Sequence, residues 1–310
     1  MAVTGITDIG SYVPAASVSN LERAEAAGKT RDFIENKIGF RRVTRKAEDE
    51  DTSDLCVRAF EALDARRGID KGSIDCLIVC TQNPDGRGLP HASAAVHAKL
   101  GLGNRVAAFD VSLGCSGYVY GLNLALCFMR ENGLKHGLLF TADPYSKIID
   151  PDDYDTGLLF GDAATVTYLS EQPVYRMLKS RFATDGSMRH SIQVPPGSDR
   201  LSMLGSNVFK FTMTVVPEQV QECLQANGLE RQDIDLYLLH QGSKFIVDNM
   251  GRKLGVPPDK APFLAADTGN TVSSTIPLML ERHLAGGPRR ILICGFGVGL
   301  SWATSVLERT

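Results

Sequence analysis

The sequence predicts an α/β fold, on three observations. Short apolar runs alternate with longer segments whose apolar residues recur at i, i+3 and i+4, the pattern of parallel strands joined by crossover helices. The runs are continuous rather than alternating, which is typical of strands covered on both faces. The two halves of the chain also resemble each other. The predicted strands are Cys76–Cys80, Val106–Phe109, Leu138–Phe140, Leu236–Leu239 and Ile291–Cys294.

Four segments between these strands carry the helical spacing of apolar residues. Gly133 and Gly228 follow two of the segments and are expected to stop those helices, because glycine readily adopts the left-handed conformation found at helix ends. The predicted helices are Asp54–Arg66, Gly117–Arg130, Phe209–Gln225 and Thr275–Leu284.

An internal repeat relates the two halves. Residues 69–80 align without a gap on residues 229–240, an offset of 160 that is about half of the 310-residue chain. Further along, Lys99–Leu102 matches Lys253–Val256 in the same order. Several ordered matches at nearly one offset favour a duplicated α/β unit.

We therefore predict two halves, residues 1–172 and residues 173–310, whose strand ends converge on one cleft. Open α/β sheets bind ligands beyond the carboxyl ends of their strands. The residues expected there are Cys115 from the first half, and His240 and Asn270 from the second. This is the set that a cysteine nucleophile needs.

Composition and charge exclude several classes of protein. Hydrophobic residues make up 43% and charged residues 22%, as in soluble globular proteins. The formal net charge of -3 argues against a nucleic-acid partner. Seven cysteines without a C-x-x-C pair argue against a disulfide framework and a zinc ribbon, so no metal site is expected. Neither a signal peptide nor a membrane-spanning run is recognised, so we expect a cytoplasmic protein with no membrane partner.

Cys115 lies in a strand-to-helix elbow, within Leu113-Gly-Cys-Ser-Gly117. The first turn of a helix presents unpaired N–H groups and the positive end of the dipole, so we expect the thiolate to be favoured. The other six cysteines lie in apolar helix or strand patterns and are interpreted as structural. Taken alone, His240 or Asn270 would suit a structural role, and their positions in the repeat make them candidates.

Four ordered motifs resemble those of the thiolase superfamily, most closely β-ketoacyl-acyl carrier protein synthase III. The resemblance covers nearly the whole chain. It implies a duplicated five-layer αβαβα thiolase fold with two mixed sheets, an obligate homodimer, and a triad of Cys115, His240 and Asn270 with no metal or cofactor. The backbone N–H groups of Cys115 and Val298 would form the oxyanion hole. The motifs are Leu113-Gly-Cys-Ser-Gly117, His240-Gln241, Gly269-Asn-Thr271 and Gly295-Phe-Gly-Val-Gly299.

In that family the cysteine takes an acyl group from a thioester and condenses it with malonyl-acyl carrier protein, releasing carbon dioxide. The resemblance implies this reaction for Cys115. Decarboxylation places negative charge on an enolate oxygen, for which the ring N–H of His240 and the amide of Asn270 are suitable donors. Two alternatives stay open. One is acyl transfer to an alcohol or amine, which mainly needs His240 as a base, and the other is a non-catalytic partner subunit of another synthase.

Several positions depart from the family's pattern, mainly where coenzyme A binds. Phe33 occupies the position of a tryptophan, and Lys37 and Tyr154 occupy the positions of arginines. Ser243 replaces an asparagine, and Val298 replaces the middle glycine of a Gly-Gly-Gly loop. Phenylalanine stacks less strongly than tryptophan, and lysine is a weaker bidentate phosphate partner than arginine. We therefore expect free coenzyme A to be a poor donor. The donor stays open between coenzyme A and carrier protein, as do the primer and the pathway.

The resemblance also assigns roles around the site. Gly205 is expected to line the substrate site, and Leu89 to reach across the dimer and close the acyl pocket. Leucine is smaller than the phenylalanine often found there, so the pocket is expected to admit more than acetyl. Lys210, Arg252 and Lys253 resemble the family's carrier-protein docking patch, with a solvated helix face as the alternative.

Overall fold

A computed structural model describes residues 3–26, 28–150 and 153–310. These ranges contain fourteen strands and seven α-helices. The strands are β1 Gly5–Tyr12, β2 Ser17–Ser19, β3 Arg42–Thr44, β4 Cys76–Cys80, β5 Ala107–Val111, β6 Gly137–Ala142, β7 Ala164–Ser170, β8 Tyr175–Met177, β9 Arg181–Thr184, β10 Ile192–Gln193, β11 Ser202–Met203, β12 Leu236–Leu239, β13 Arg290–Gly297 and β14 Ser301–Arg309. The helices are α1 Asn20–Arg23, α2 Thr52–Arg67, α3 Ala92–Leu100, α4 Gly117–Asn132, α5 Gly205–Ala226, α6 Lys244–Leu254 and α7 Thr275–Glu281.

All five predicted strands and all four predicted helices are present, and the differences lie at their ends. β4 and β12 have the predicted bounds, because both are fully buried apolar runs. α7 ends at Glu281, three residues before the predicted end. Gly133 caps α4 with a φ of +66°, and Gly228 follows α5 with a φ of +65°, as expected of glycines at helix ends.

The two halves repeat one pattern of strand pairing. In the first half β4 and β6 are parallel, and β7 is antiparallel to both β6 and β1. In the second half β12 and β13 are parallel, and β14 is antiparallel to both β13 and β9. Each half therefore forms a mixed sheet, as the sequence predicts, and the two are continuous in one ten-stranded sheet. Short β8 joins them by pairing with β14 and, at one position, with β1. The boundary between residues 172 and 173 stays a prediction.

Helices form three layers around the two sheets. α4 and α7 lie between the sheets and contact strands of both halves, which is why α4 buries Tyr118, Val119 and Leu122. α2 and α3 cover the outer face of the first sheet, and α5 covers that of the second, with α6 packed on α5. The predicted five-layer αβαβα thiolase fold is confirmed.

This architecture brings strand ends from both halves to one place. β5 ends at Val111, four residues before Cys115, and β12 ends at Leu239, directly before His240. Both residues thus leave a sheet at the carboxyl end of a strand, where α/β folds place ligands. Within the described ranges, no helix is long and apolar enough to cross a membrane.

Candidate active site

A cavity of about 370 Å³ lies between the two halves. Cys115 lines it from the first half, and His240, Asn270 and Val298 line it from the second. Cys115 is 6% exposed, His240 2% and Asn270 5%. The structure therefore brings the three predicted triad residues together in one buried site.

Cys115 sits in the predicted elbow, two residues before the first residue of α4. The end of β13 packs directly on it. A Cβ atom at Gly297 would lie 2.7 Å from the Cys115 sulfur and 2.8 Å from its Cβ, closer than side chains pack. The carbonyl of Cys115 would likewise be 2.6 Å from a Cβ at Gly295. These two glycines let the β13 backbone approach Cys115 closely.

The thiolate that the sequence predicts for Cys115 is wrong for this structure. Burial raises the pKa of the Cys115 thiol to about 12, although the backbone N–H of Val298 acts in the opposite direction. The helix N-terminus is in the expected place, but packing from β13 removes the sulfur from water, and desolvation disfavours the charged form. Cys115 is therefore a neutral thiol near neutral pH.

Two backbone N–H groups point toward the Cys115 sulfur. They belong to Val298 and to Cys115 itself, and both act to lower the pKa of the thiol. Donors that favour a thiolate at this point can also bind the oxyanion of a tetrahedral intermediate formed next to it. The geometry is compatible with the predicted oxyanion hole of Cys115 and Val298.

His240 is held by a short chain of hydrogen bonds. Its Nδ1 atom lies 2.9 Å from the hydroxyl oxygen of Thr275, and that hydroxyl donates to the carbonyl of Val272 over 3.1 Å. Since the hydroxyl proton is used by the carbonyl, Nδ1 is the donor to the threonine oxygen. This tautomer leaves Nε2 as an acceptor. Burial lowers the pKa of His240 to about 3, against a smaller opposite effect of the Val272 carbonyl, so the ring is neutral.

Hydrogen bonds hold both the backbone and the side chain of Asn270 in place. Its backbone N–H donates to the carbonyl of Leu159 over 2.8 Å, and its own carbonyl accepts from Gly161 over 3.0 Å. Its Oδ1 atom accepts the N–H of Val272 over 2.9 Å. With Oδ1 occupied, the side-chain amide N–H groups of Asn270 are the donors left for the cavity.

Val272 connects these two residues. Its N–H holds Asn270, and its carbonyl accepts from Thr275, the partner of His240. Val272 has a φ of +53°, a conformation that β-branched residues rarely adopt. Such outliers persist only where the surroundings impose them, and they concentrate at active sites.

The remaining wall of the cavity is largely apolar. Four of the predicted substrate-binding residues lie in it: Phe33, Lys37, Gly205 and Ser243. Their neighbours form an apolar chamber. These further lining residues are Ile38, Tyr145, Leu159, Phe160, Ile192, Met203, Ser206, Val208, Phe209, Gly242, Phe245, Ile246, Phe296 and Gly297.

Aromatic rings occupy one side of the cavity with Lys37. The Lys37 ammonium lies 4.3 Å from the centre of the Phe245 ring, and Phe209 packs against Phe245 with ring centres 5.1 Å apart. Lys37 therefore already has a cation–π partner. Phe33 is contacted in the same way by Lys29, at 5.2 Å.

Two predicted substrate-binding residues are not part of the cavity wall. Leu89 is 94% exposed, on the loop before α3, so within one chain it contacts no acyl pocket. Tyr154 packs in a neighbouring apolar cluster that shares Phe33, Ile38 and Leu159 with the cavity wall, and the guanidinium of Arg23 lies 5.2 Å from the centre of its ring. The chain that follows is buried from Thr156 to Leu158, and it reaches the cavity wall at Leu159 and Phe160.

The three predicted docking residues lie on the exposed faces of α5 and α6. Lys210 is in the first turns of α5, and Arg252 and Lys253 are in the last turn of α6. Lys253 donates to the carbonyl of Met213, one turn beyond Lys210. These contacts place the basic side chains on neighbouring faces, and none of the three forms an ion pair with a described carboxylate.

Thr275 and Val272 are site residues that the sequence analysis missed. Thr275 is the first residue of a predicted helix, and nothing in its type indicates a contact with His240. Val272 carries no sequence signal for a positive φ, since valine is among the residues least suited to it. The aromatic residues Phe209, Phe245 and Phe296 were also missed, because their pattern is that of ordinary core positions.

Comparisons with known proteins agree with this geometry. Residues 109–186 match the family model described as 3-oxoacyl-[acyl-carrier-protein (ACP)] synthase III, and residues 224–309 match its C-terminal counterpart. A β-ketoacyl-[acyl-carrier-protein] synthase III from Neisseria meningitidis serogroup B is 32% identical, over 99% of this chain and 100% of that protein. One from Lactococcus lactis subsp. cremoris is also 32% identical, with the same coverage. A 2.1 Å crystal structure of a 3-oxoacyl-(acyl-carrier-protein) synthase III superposes with a TM-score of 0.92, at 33% identity and 99% coverage of both chains.

Proposed function

The chain belongs to the β-ketoacyl-acyl carrier protein synthase III family, and from this premise we propose how its cavity works. Cys115 is acylated by an acyl thioester, and the acyl group is condensed decarboxylatively with a malonyl thioester on acyl carrier protein to give a β-ketoacyl product. The observation that carries the condensing step is the orientation of Asn270, whose Oδ1 is bound by Val272 and whose amide donors are left for the cavity.

Acylation begins with a neutral pair. Cys115 is a thiol and His240 a neutral imidazole, because burial opposes charge on both. The Nε2 lone pair of His240 accepts the thiol proton while the sulfur attacks the thioester carbonyl. The N–H groups of Cys115 and Val298 receive the developing oxyanion, and each such donor contributes about 3 kcal/mol to transition-state stability. The leaving thiolate departs and is protonated.

The condensation step needs hydrogen-bond donors to the enolate oxygen rather than a general base. Loss of carbon dioxide from the malonyl group leaves an enolate, whose oxygen carries the new charge. The amide N–H of Asn270 and a ring N–H of His240 are the proposed donors to that oxygen. The enolate carbon then attacks the acyl group on Cys115, and the Cys115 thiolate leaves. The reaction uses only thioester substrates, so no resident metal or cofactor takes part.

A carrier-protein thioester is the proposed donor as well as the proposed acceptor. Lys37 already packs on Phe245, so it is poorly placed to bind a nucleotide phosphate. Phe33 offers a smaller stacking surface than tryptophan. The phosphopantetheine arm of a carrier protein reaches the same cavity without needing either contact. Free coenzyme A would lack both the phosphate contact and the strong stacking contact.

Exposed basic residues near the cavity support a carrier-protein partner. Lys210, Arg252 and Lys253 project from α5 and α6, the helices that also supply Phe209 and Phe245 to the cavity wall. Carrier proteins are acidic around their pantetheine attachment site, and exposed charge complementarity speeds docking. We propose that these three residues receive the carrier protein.

A homodimer is proposed from the edge of the first sheet. β5 ends the strand order, and its outer edge pairs with no described strand. An exposed strand edge is normally covered. Three exposed apolar side chains lie near this edge: Leu124 is on α4, Phe182 packs on Tyr120 of α4, and Leu89 is on the loop before α3, a helix that contacts β5. In a symmetric dimer across this edge, Leu89 would enter the partner's acyl pocket, where leucine leaves more room than phenylalanine.

The two alternatives from the sequence are not supported by the site. Acyl transfer to an alcohol or amine forms no enolate, so the oriented amide of Asn270 would have no oxygen of that kind to bind. A non-catalytic subunit would not need Cys115, His240 and Asn270 assembled around one cavity. All seven cysteines are free thiols, and we propose a cytoplasmic enzyme because Cys115 acts only in its reduced form.

The proposal is tested by intact-protein mass spectrometry. The enzyme is incubated with acyl-coenzyme A and acyl-carrier-protein donors of increasing chain length, and then with malonyl-carrier protein. We expect the mass of one acyl group to appear on the protein and to disappear when malonyl-carrier protein is added, with a β-ketoacyl-carrier protein as product. An acylated enzyme that is discharged by amines or alcohols, and not by malonyl-carrier protein, would contradict the proposal.

A further inference from the structure

A second, smaller cavity lies next to Thr275, the hydrogen-bond partner of His240. Its volume is about 40 Å³. We call it the rear cavity, and its walls include Thr271, Thr275, Gln241 and Arg282. Thr275 thus lines the rear cavity while its hydroxyl oxygen lies 2.9 Å from the Nδ1 atom of His240. The catalytic site described above uses neither this cavity nor Thr271.

The rear cavity is suited to hold water. One water molecule needs about 10–15 Å³ of such volume and two or more polar partners. The hydroxyl of Thr271 is buried and has no hydrogen-bond partner among the described residues, although most buried hydroxyls have one. Thr271 and Thr275 both line the cavity, so water there would satisfy the first and contact the second. Val13 and Arg282, which are exposed, connect the walls of the cavity to the surface.

In the proposed reaction, Nε2 of His240 acts as a proton acceptor in one half-reaction and as a hydrogen-bond donor in the other. In acylation it accepts the Cys115 proton, which requires the lone pair of the resting tautomer. In condensation it donates to the enolate oxygen, which requires a proton on the same atom. Since burial holds the pKa of His240 at about 3, the doubly protonated ring is not populated near neutral pH. A proton gained at Nε2 must therefore be matched by one lost from Nδ1.

We propose that the Thr275 hydroxyl relays protons between Nδ1 of His240 and water in the rear cavity, and so switches the tautomer of His240 between the two half-reactions. The inference rests on the proposed condensing function and deepens it. It makes Thr275 a positioning residue that acts through His240.

In acylation, the proton balance is as follows. The Cys115 S–H bond breaks, and its proton forms the Nε2–H bond of His240. The Nδ1 proton passes to the Thr275 oxygen, while the original hydroxyl proton of Thr275 leaves the Val272 carbonyl, passes to water in the rear cavity and is released to solvent. The sulfur of Cys115 bonds to the acyl carbon, and the donor thiolate leaves and takes a proton from bulk water. His240 ends neutral with its proton on Nε2, the tautomer that can donate to the enolate.

Condensation returns the system to its start. The enolate carbon bonds to the acyl carbon, and the bond between that carbon and the Cys115 sulfur breaks. The Nε2 proton of His240 then passes to the thiolate of Cys115. Water in the rear cavity gives a proton to Thr275, and Thr275 gives its own to Nδ1. One proton is taken up from solvent in this half-reaction, as decarboxylation of a malonate anion to a neutral ketone and a thiol requires.

A hydroxyl is the group that this task needs. It can accept a hydrogen bond from Nδ1–H or donate one to an unprotonated Nδ1. The carbonyl of Val272, the other acceptor beside the ring, can only accept and would fix the proton on Nδ1. Without the Thr275 hydroxyl, His240 would keep the resting tautomer and could not serve as a donor.

The test compares Thr275→Val, which keeps the shape and removes the hydroxyl, with Thr275→Ser, which keeps the hydroxyl. Ser274→Ala is the matched control, because Ser274 is an adjacent buried hydroxyl that bonds to Thr141 instead. We expect Thr275→Val to slow the loading of Cys115, because Nδ1 cannot release its proton, and to lower kcat for condensation by about 10²–10³, the cost of one lost donor, with KM for malonyl-carrier protein unchanged. Thr275→Ser and Ser274→Ala should stay near the wild-type rate.

The readout specific to the relay is the tautomer itself, observed by ¹⁵N NMR of histidine-labelled enzyme before and after acylation. In the wild type and Thr275→Ser, the proton should move from Nδ1 to Nε2 on acylation, and in Thr275→Val it should stay on Nδ1. If Thr275→Val fails to fold, Thr271→Val provides the same test through the water site, with slower appearance of the Nε2–H signal. An Nε2–H tautomer in acylated Thr275→Val, or an unchanged condensation rate, would overturn the relay. A wild-type enzyme that loads but releases no carbon dioxide would instead overturn the condensing function.

Discussion

The backbone N–H of Val272 donates to the Oδ1 atom of Asn270 over 2.9 Å. This bond fixes which end of the Asn270 amide faces the cavity. Because Oδ1 is held by the backbone, the NH₂ group is the end available to a substrate oxygen. The amide is thereby a preorganised donor, and a group of this kind stabilises charge that develops on a substrate without moving during the reaction.

Substitution of Asn270 should therefore separate loading from condensation. We expect Asn270→Ala to acquire an acyl group on Cys115 at nearly the wild-type rate, while condensation falls by about 10²–10³. Asn270→Asp should be at least as damaging, since a carboxylate only accepts hydrogen bonds and repels the enolate. Mass spectrometry of the loaded enzyme and product analysis after addition of malonyl-carrier protein give the two rates. Equal loss of both rates would show that Asn270 holds the site together instead of acting on the enolate.

Loading of Cys115 should depend on the absence of a side chain at Gly297. A Cβ at this position would lie 2.7 Å from the Cys115 sulfur, and the collision would move either the sulfur or the neighbouring Val298 N–H. We expect Gly297→Ala to slow acylation by about 10², the cost of misplacing a reacting group by about 1 Å. Gly103→Ala is the control, because a Cβ there meets no atom within 4 Å and should change nothing. Normal acylation of Gly297→Ala would contradict the close packing of β13 on Cys115.

The identity of the acyl donor can be altered at Phe33 and Lys37. With the native residues we expect an acyl-carrier protein to load the enzyme faster than the matching acyl-coenzyme A. Phe33→Trp with Lys37→Arg should raise kcat/KM for the coenzyme A donor about 2- to 10-fold, because a further aromatic contact contributes about 0.5–1.5 kcal/mol. The carrier-protein donor should be unaffected in the same single-turnover assay, and it serves as the internal control. Faster loading of the native enzyme by coenzyme A would remove the significance of these two residues.

Charge reversal at Arg252 and Lys253 tests the docking surface. We expect the double change to glutamate to raise KM for carrier-protein substrates about tenfold, on the scale of a few exposed ion pairs, and the effect should shrink at high salt. Loading by a small acyl thioester should be unchanged. Lys71→Glu, an exposed lysine on a distant turn, is the control. If the double substitution leaves KM for carrier-protein substrates unchanged, these residues are only part of a solvated helix face.

Much of this organisation could be predicted from the sequence. Continuous apolar runs such as Cys76–Cys80 and Leu236–Leu239 predict buried strands with nearly the right bounds, because their pattern depends on the residues themselves. The repeat identified Cys115, His240 and Asn270 as a set, and the cavity contains all three. Local patterns and duplication therefore predict the α/β class, the main elements and this set of three residues, whereas the five-layer fold followed from the resemblance to a known family.

What the sequence could not predict depends on contacts between distant segments. The expected thiolate at Cys115 followed from the helix start alone, whereas the packing of Gly297 buries the sulfur and raises its pKa. The role of Thr275 is evident only from the hydrogen bond between its hydroxyl and His240. The positive φ of Val272 is imposed by its surroundings, against the preference of valine. Each of these features requires tertiary structure.

The most direct test of the condensing function follows the malonyl carboxyl group. Malonyl-carrier protein labelled with carbon-14 in that carboxyl is added to the acyl-loaded enzyme, and labelled carbon dioxide is counted beside the β-ketoacyl product. The wild type and Cys127→Ala, a control at a free cysteine of α4, should release one carbon dioxide for each product formed, and Cys115→Ala should form no product. Product that forms without release of labelled carbon dioxide, or that forms in Cys115→Ala, would contradict decarboxylative condensation at Cys115.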